Sequence, residues 1–179
     1  TYAGAYEGIR KAFSATAQAK AAGLTARSFS FNSPGGRCER CEGLGRVSSN
    51  MLFFLDVETT CPACRGRRFS EEVLDVRYSG LSIDEALMLS VEEAARAFKK
   101  IPGSARALRL LEDVGLGYVQ LGQTLATLSG GEAQRLKLAK ELITGSSKSN
   151  LYLLDEPTRG LHPQDVERFL SLVDRLVDA

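Results

Sequence analysis

Two cysteine pairs with the same internal spacing limit most strongly what this chain can fold into. Cys38 and Cys41 form the first C-x-x-C pair, and Cys61 and Cys64 form the second, with 19 residues between the pairs. This is close to the spacing of sites in which four thiolates hold one Zn²⁺. Two cysteines on one tight turn can both reach the metal, and a second turn completes a tetrahedron without an open position for catalysis. The spacing therefore predicts a structural zinc module.

The residues leave two alternatives to zinc, namely two disulfides or four unrelated buried thiols. Disulfides need an oxidising compartment, and no signal-peptide pattern opens the chain. Gly43, Gly45 and Gly66 follow the cysteine pairs. Glycine lets backbone N–H groups turn toward thiolates and stabilise their charge. We therefore predict that all four cysteines are ligands of one Zn²⁺ ion.

The charge of the chain argues against binding nucleic acid through a broadly positive surface. The 179 residues include 23 Lys+Arg and 22 Asp+Glu, for a formal net charge of +1. The positive charge near the second cysteine pair is clustered, because Arg65, Arg67 and Arg68 follow it directly. These arginines are candidate contacts to nucleic-acid phosphates. The alternative is a solvated face on which they pair with local Glu side chains.

Local patterns divide the first 127 residues into three predicted parts. A helical stripe runs from Tyr6 to Phe13, and Gly23 can end it. Residues 51–55 and 72–78 are predicted to be strands. Two Ser-x-x-Glu capping boxes, at Ser82 and Ser90, open two short helices, and residues 104–114 form a third. The parts are residues 1–32 (lead-in segment), 33–80 (zinc module with short strands) and 81–127 (helical segment).

Residues 128–179 combine features that suit a phosphate ligand. Ser129, Gly130 and Gly131 precede an apolar helical pattern, and a capped helix N-terminus presents free N–H groups to an anion. Residues 151–154 are predicted to be a buried strand that ends in Asp155 and Glu156, and a helix follows from residue 163. Asp155 could hold Mg²⁺, and Glu156 could activate water. The alternatives to a phosphate site are an ordinary capped helix and a strand that ends in solvated acids. The succession of helix, strand and helix favours an α/β fold.

These motifs carry a resemblance to a known family. Leu-Ser-Gly-Gly-Glu at residues 128–132 and Leu-Leu-Asp-Glu-Pro at 153–157 resemble the signature and Walker B motifs of ABC-type ATPases. With the cysteine pairs, residues 29–38, 121–135 and 155–162 resemble the UvrA family, in its second, C-terminal ATPase half. The likeness covers essentially the whole chain. It implies a partial ABC-type nucleotide-binding domain with a helical signature subdomain and an inserted four-cysteine zinc module.

The resemblance also implies a function, the damage-recognition ATPase of bacterial nucleotide excision repair. Ser129, Gly130 and Gly131 would contact the γ-phosphate of an ATP held by the other ATPase half. Asp155 would bind Mg²⁺ and Glu156 would be the catalytic carboxylate. Damaged double-stranded DNA, UvrB and a second copy of the parent protein are the implied partners. We expect a cytoplasmic location and no membrane partner, because no apolar run approaches the roughly 20 residues that span a bilayer.

The chain departs from the family pattern in three respects. It contains no G-x-x-x-x-G-K-[ST] motif, so we expect it to be a piece of a longer protein and to be inactive alone. Arg159 stands where the family usually has Thr. His162 is not the family's switch histidine, and we expect it to pack or to cap a helix.

Two other functional classes fit parts of the sequence. A UvrA-like paralogue that gives self-resistance to DNA-binding antibiotics would carry nearly the same motifs. A zinc-stapled chaperone or scaffold module shares the pattern Cys-x-x-Cys-x-Gly-x-Gly at residues 38–45. The chaperone class predicts four such cysteine pairs and no signature motif, whereas this chain has two pairs and Ser129-Gly-Gly-Glu132.

Overall fold

The described part of the chain folds into helices together with one two-stranded sheet. The computed structural model describes residues 4–49, 57–144 and 151–177. Within these ranges the elements, in chain order, are α1 (Ala5–Ser14), α2 (Ala17–Ala21), β1 (Arg46–Ser49), β2 (Val57–Thr60), α3 (Glu71–Leu74), α4 (Ile83–Met88), α5 (Val91–Ala97), α6 (Pro102–Asp113), a 3₁₀ turn (Leu125–Thr127), α7 (Gly130–Thr144) and α8 (Pro163–Val177).

The chain divides into two compact units. The cysteine unit comprises Arg10–Ala86, and the helical unit comprises Thr1–Ile9 together with Leu87–Ala179. The division falls within α1 and α4. The cysteine pairs therefore belong to one unit, and the regions around Ser129 and Asp155 belong to the other.

The predicted N-terminal helix is confirmed, but it is shorter than Gly23 suggested. α1 ends at Ser14. Thr16 then starts α2, because its side-chain oxygen accepts a hydrogen bond from the Ala19 N–H at 3.2 Å. In the cysteine unit the Phe13 ring packs against Phe29, with ring centroids 5.5 Å apart. A Thr cap thus restarts the helix that the apolar pattern alone would have continued.

The strands of the cysteine unit differ from those expected. β1 and β2 pair antiparallel, with Arg46 opposite Thr60. The strand predicted at residues 51–55 lies outside the described residues. The strand predicted at 72–78 is wrong, because Glu71–Leu74 is helical. Ser70 and two acidic residues favour a helix start there, and Val73 and Leu74 are both buried, which an alternating strand does not allow.

Helix ends in the helical unit follow the capping signals of the sequence. At α5, Ser90 and Glu93 form the predicted capping box, each side chain accepting from the other's backbone N–H. α6 opens on Pro102. It ends at Asp113, and Gly115, just beyond the C-cap Val114, has a φ of +75°. The Leu116 N–H donates to the Leu111 carbonyl at 2.9 Å, as in a Schellman motif. The predicted third helix and its stop are confirmed.

α6 is the central helix of the helical unit, and it packs against α5, α7 and α8. Its side chains Leu108 and Leu111 are buried. The segment after α6 is tied to the start of α5, because the Val91 N–H donates to the Val119 carbonyl at 2.9 Å. This tie fixes the position of the intervening Tyr118. No helix within the described ranges is long and apolar enough to cross a membrane.

The strand predicted at residues 151–154 is also wrong. These residues have no regular secondary structure, and the side chains of Leu151 and Leu153 are 86% and 88% exposed. A strand is stable only when neighbouring strands accept and donate its backbone hydrogen bonds. Among the described residues only β1 and β2 form a sheet, and they lie in the cysteine unit. The helix predicted after Pro163 is confirmed as α8.

Two glycines test how tightly the backbone of each unit is packed. A Cβ added at Gly36 would lie 2.0 Å from the Ser28 carbonyl oxygen, whereas one added at Gly103 would meet nothing within 4 Å. We expect Gly36→Ala to lower the free energy of unfolding by about 1–3 kcal/mol. Gly103→Ala should raise it by about 0.5 kcal/mol, because alanine restricts the unfolded chain and suits a helix. Urea unfolding measures both, and an unchanged midpoint for Gly36→Ala would contradict the close contact.

Candidate functional site

The four cysteine sulfur atoms meet in the interior of the cysteine unit. All lie within 4.8 Å of one another. Cys38 Sγ is 3.9 Å from Cys61 Sγ, and Cys41 Sγ is 3.6 Å from Cys64 Sγ. The edges of a regular tetrahedron with metal–sulfur bonds of about 2.3 Å measure about 3.8 Å. All four are buried free cysteines, so the disulfide alternative does not hold and the cluster can bind one metal ion.

Each cysteine pair lies on a turn of the same kind. The residue after the second cysteine has a left-handed backbone, with φ of +50° at Glu42 and +52° at Arg65. A glycine with positive φ follows in both turns. At Gly43 the glycine is also needed for space, because a Cβ would lie 1.9 Å from the Phe31 carbonyl oxygen. These turns aim two sulfur atoms each at a common centre.

Backbone hydrogen bonds tie the two turns to each other reciprocally. The Cys38 N–H donates to the Arg68 carbonyl at 2.8 Å, and the Cys61 N–H donates to the Gly45 carbonyl at 3.0 Å. The Gly45 N–H in turn donates to Cys41 Sγ at 3.2 Å. The first cysteine of each pair is therefore held by the other turn. This cross-connection holds the two turns, and with them the four sulfur atoms, close together.

The surroundings of the thiols shift their pKa values in opposite directions. The backbone N–H of Cys64 lowers the pKa of Cys61 to about 7. Burial raises the pKa of Cys64 to about 12. Thiolates bind metal ions, and a bound cation favours the deprotonated form of a buried thiol. The cluster thus contains one thiol that ionises readily and one that a cation must hold ionised.

The arginines after the second pair differ in how far they are engaged by neighbours. Arg67 forms an ion pair with Glu71, and the guanidinium of Arg68 lies 5.6 Å from the centre of the Phe31 ring. Arg65 is exposed and makes no ion pair within the described part of the chain. The three arginines predicted to contact phosphates are near one another in the chain, and among them only Arg65 has no ion pair or ring contact with the described residues.

The Ser129 region forms the predicted capping box at the start of α7. Ser129 Oγ accepts from the Glu132 N–H at 3.3 Å, and Glu132 Oε2 accepts from the Ser129 N–H at 2.7 Å. Ser129 and Gly130 are exposed. The cap uses the Glu132 N–H and leaves the N–H groups of Gly130 and Gly131 without an acceptor inside the helix, so that an anion can accept from them.

Sequence reasoning missed Tyr118, which completes this cap. The Tyr118 hydroxyl donates to Glu132 Oε1. This hydrogen bond and the Ser129 backbone N–H hold the pKa of Glu132 below its usual range. Partial burial and the adjacent Glu132 raise the pKa of Tyr118. No sequence motif predicts this contact, because it depends on the loop between α6 and the 3₁₀ turn, which brings Tyr118 to α7.

Arg135 connects the signature helix α7 to the loop that follows Glu156. Its Nη1 donates to the carbonyl oxygens of Pro157 and Arg159, each at 3.2 Å. The residue is 2% exposed. The two predicted groups of nucleotide-binding residues, one at Ser129 and one at Asp155, are thus joined through a buried side chain that the sequence pattern did not single out.

Asp155 and Glu156 are both exposed. Glu156 has a left-handed backbone, with φ of +43°, and its Oε2 pairs with Arg159 Nη1 at 2.9 Å. The Arg159 N–H also donates to the Glu156 carbonyl at 3.0 Å. The residue that replaces the family's usual Thr therefore binds the carboxylate expected to do catalysis. The His162 carbonyl accepts from the Val166 N–H at 3.2 Å, which places His162 just before α8.

Comparison with known proteins agrees with these motifs. The family described as ABC transporter matches residues 64–159. UvrABC system protein A of Methanothermobacter thermautotrophicus is 52% identical over 179 residues, which are 100% of this chain and 19% of that protein. The protein of the same name from Thermus thermophilus is 50% identical over 179 residues, again 100% of this chain and 19% of its own length.

A solved structure shares the fold. The crystal structure of UvrA2 from Deinococcus radiodurans superposes with a TM-score of 0.88 at 48% identity, covering 99% of this chain and 21% of that one. The fold and motifs define an ABC-type nucleotide-binding domain with an inserted four-cysteine module, as predicted. Within that class, the chain belongs to the UvrA family. It spans 19% of the length of the curated relatives described above.

The Tyr118 hydroxyl can be tested by a change that removes only one oxygen atom. Tyr118→Phe should raise the pKa of Glu132 toward its ordinary value, because the hydroxyl is the largest cause of the lowered value. The pKa of Glu93, which has the same capping box, should stay unchanged and serves as the internal control. NMR titration of the side-chain carboxyl carbons measures both. An unmoved Glu132 titration would show that Tyr118 does not hold the cap.

Proposed function

We propose that this chain is part of the damage-recognition ATPase of nucleotide excision repair, and that it supplies one signature motif, one Walker B loop and a zinc module. The observation that carries the proposal is the joining of the capped Ser129–Gly131 turn to the Glu156 loop, in a chain similar to UvrABC system protein A. A helix start alone suits many anions, but its connection to an acidic loop suits a nucleotide with its metal ion.

In the proposed reaction the chain contributes to two different ATP positions. The N–H groups of Gly130 and Gly131 and the hydroxyl of Ser129 would contact the γ-phosphate of an ATP bound by another ATPase half. Asp155 would hold Mg²⁺, and Glu156 would orient and deprotonate the attacking water. Ser129, Gly130, Asp155 and Glu156 are exposed, which is consistent with ligands that approach from outside the chain.

We propose Zn²⁺ as the ion of the cysteine cluster. Four thiolates in tetrahedral arrangement suit zinc, and a site closed by four protein ligands has a structural role. The sulfur separations of 3.6 and 3.9 Å support this. The four free thiols also fit a reducing compartment, so we place the protein in the cytoplasm.

The proposed macromolecular partners are damaged double-stranded DNA, UvrB and a second copy of the parent protein. Arg65 is the strongest candidate in this chain for a phosphate contact, because Arg67 and Arg68 already have partners in the cysteine unit. The similarity to UvrA2 favours, as the second candidate, a paralogue that protects DNA against intercalating antibiotics. Binding of UvrB by the full-length protein would separate the two functions.

The zinc proposal predicts that metal content depends on the second cysteine pair. Cys61→Ser/Cys64→Ser should reduce bound zinc from about one ion per chain to none, because two thiolates do not complete the tetrahedron. Mass-spectrometric metal analysis measures the content. Ser48→Ala/Thr59→Ala, a double change on β1 and β2 that spares the sulfur atoms, is the control. Equal zinc in both variants would contradict the site.

The DNA proposal predicts that Arg65 contributes to DNA binding and that Arg46, another arginine of the cysteine unit, does not. Arg65→Ala in the full-length protein should weaken damaged-duplex binding by about tenfold and reduce the salt slope by about one. Arg46→Ala is the matched control, because Arg46 already pairs with Glu58 at 2.9 Å. Fluorescence anisotropy at several salt concentrations measures both. Equal loss in the two variants would indicate a diffuse charge effect.

The ATPase proposal predicts that Glu156 is essential in the full-length protein and that the chain alone has no turnover. Glu156→Gln should lower kcat by about 10²–10⁴ with little effect on stability. Glu167→Gln makes the same change on the exposed surface of α8 and should leave kcat unchanged. A phosphate-release assay decides. ATP turnover by the purified 179-residue chain that Glu156→Gln abolishes would refute the need for a separate Walker A.

A further inference from the structure

Arg135 is the largest of the fully buried side chains, and its surroundings are unusual for a permanent charge. Its Nη1 donates hydrogen bonds to two backbone carbonyl oxygens, those of Pro157 and Arg159. Its Nε is buried without a hydrogen-bond partner among the described residues. A guanidinium remains charged at any accessible pH, and burying it is unfavourable, although the Glu132 carboxylate and the Tyr118 side chain are close enough to interact with it. An apolar side chain of similar length would fill the same space at lower cost.

The packing of Arg135 against the Arg159 carbonyl group also explains why the residue at position 131, in the signature motif, has no side chain. A Cβ on Gly131 would lie 3.3 Å from Arg135 Nη1 and 3.4 Å from the Arg159 carbonyl oxygen. The first separation is tighter than most Cβ contacts, and the second lies at the lower limit of ordinary van der Waals contact. The absence of a side chain at Gly131 therefore lets residues 157–160, here termed the 157–160 loop, pack directly on the first turns of α7. Gly130, in contrast, has open space around its Cβ position.

We infer that Arg135 is a positioning residue that couples the signature motif to the 157–160 loop. This rests on the proposed function. One nitrogen atom holds the carbonyl groups on both sides of Thr158, so the loop follows α7 as a unit. Ser129 caps α7 and Arg135 lies on that helix less than two turns further along, so a displacement of the cap is transmitted through the helix. Movement of the signature motif upon binding one nucleotide then moves the loop next to Glu156, which acts on another.

The loop itself has few bonds that would hold it without Arg135. Two of its backbone bonds are local, from the Arg159 N–H to the Glu156 carbonyl and from the Leu161 N–H to the Thr158 carbonyl, each at 3.0 Å. The ion pair of Arg159 with Glu156 joins two largely exposed side chains, 81% and 66% accessible, and such pairs contribute little. Arg135 is the anchor that connects these turns to a helix.

The test compares three substitutions in the full-length protein. Arg135→Met keeps the length and volume of the side chain and removes the donors, a replacement that buried sites commonly tolerate. Arg135→Lys keeps the charge and at least one donor. Lys137→Met makes the same chemical change as Arg135→Met at an exposed position of the same helix and is the matched control. Thermal unfolding confirms that each variant is folded.

Hydrogen–deuterium exchange without nucleotide decides whether Arg135 anchors the loop. Arg135→Met should accelerate exchange of the Arg159 and Leu161 amides at least tenfold, Arg135→Lys should do so less, and Lys137→Met should stay within twofold of the wild type. Unchanged exchange at these amides in Arg135→Met would overturn the inference. This arm needs no ATP turnover, so it is independent of the proposed function.

Steady-state ATP hydrolysis decides whether the anchor couples the two nucleotide positions. Arg135→Met should lower kcat at least tenfold while KM for ATP stays within threefold, and Arg135→Lys should recover part of kcat. Faster loop exchange with a wild-type kcat would overturn the coupling. If the wild type itself shows no ATP turnover, the proposed function fails and the coupling fails with it, while the exchange result still decides the anchor.

Discussion

Convergence of four sulfur atoms is the constraint on which the cysteine unit depends. Two turns from separate parts of the chain must bring their cysteines within 4.8 Å of one another. They achieve this through left-handed residues that follow each pair and through backbone bonds that cross between the turns. The sheet formed by β1 and β2 extends from these turns and has only four residues in each strand. A two-stranded sheet of this size is marginal alone, so the cluster stabilises the sheet rather than the reverse.

The helical unit is organised by a different requirement, the satisfaction of polar groups at the ends of helices. Ser90 and Ser129 start α5 and α7 with the same reciprocal cap. At α7 the cap has an additional partner, Tyr118, which also brings the loop after α6 onto the signature motif. Arg135 connects the same helix to the carbonyl groups of Pro157 and Arg159. Helix α7 is therefore held by polar contacts near its start and by packing on α6.

The sequence predicted those features that depend on short-range chemistry. The cysteine cluster, the capping boxes at Ser90 and Ser129 and the helix after Pro163 are all present. These signals act over a few residues, or impose a metal-binding geometry that leaves little choice. The motifs also led to the UvrA family, which the comparisons confirm.

Features that depend on distant partners were not predictable. Residues 151–154 have the apolar composition of a buried strand, yet Leu151, Leu153 and Leu154 are exposed and no strand among the described residues pairs with them. Val73 and Leu74 are buried on a short helix because the core accepts two adjacent side chains. Tyr118 and Arg135 gained their roles from loops that fold back onto α7. In each case tertiary contacts decided the outcome, and composition and spacing do not encode those contacts.

The reciprocal bonds between the two cysteine turns have a consequence for how this unit can change during evolution. The Cys38 N–H bonds to one turn and the Cys61 N–H to the other, so the site is assembled by the turns themselves. Beyond the paired strands β1 and β2, the connection between the turns closes a loop, and the entropy of loop closure grows slowly with length, by about 0.6 kcal/mol per doubling. Insertions there would leave the four sulfur atoms in place. The number of residues between the pairs, 19 in this chain, can therefore vary, whereas the number of residues inside each pair, two, cannot.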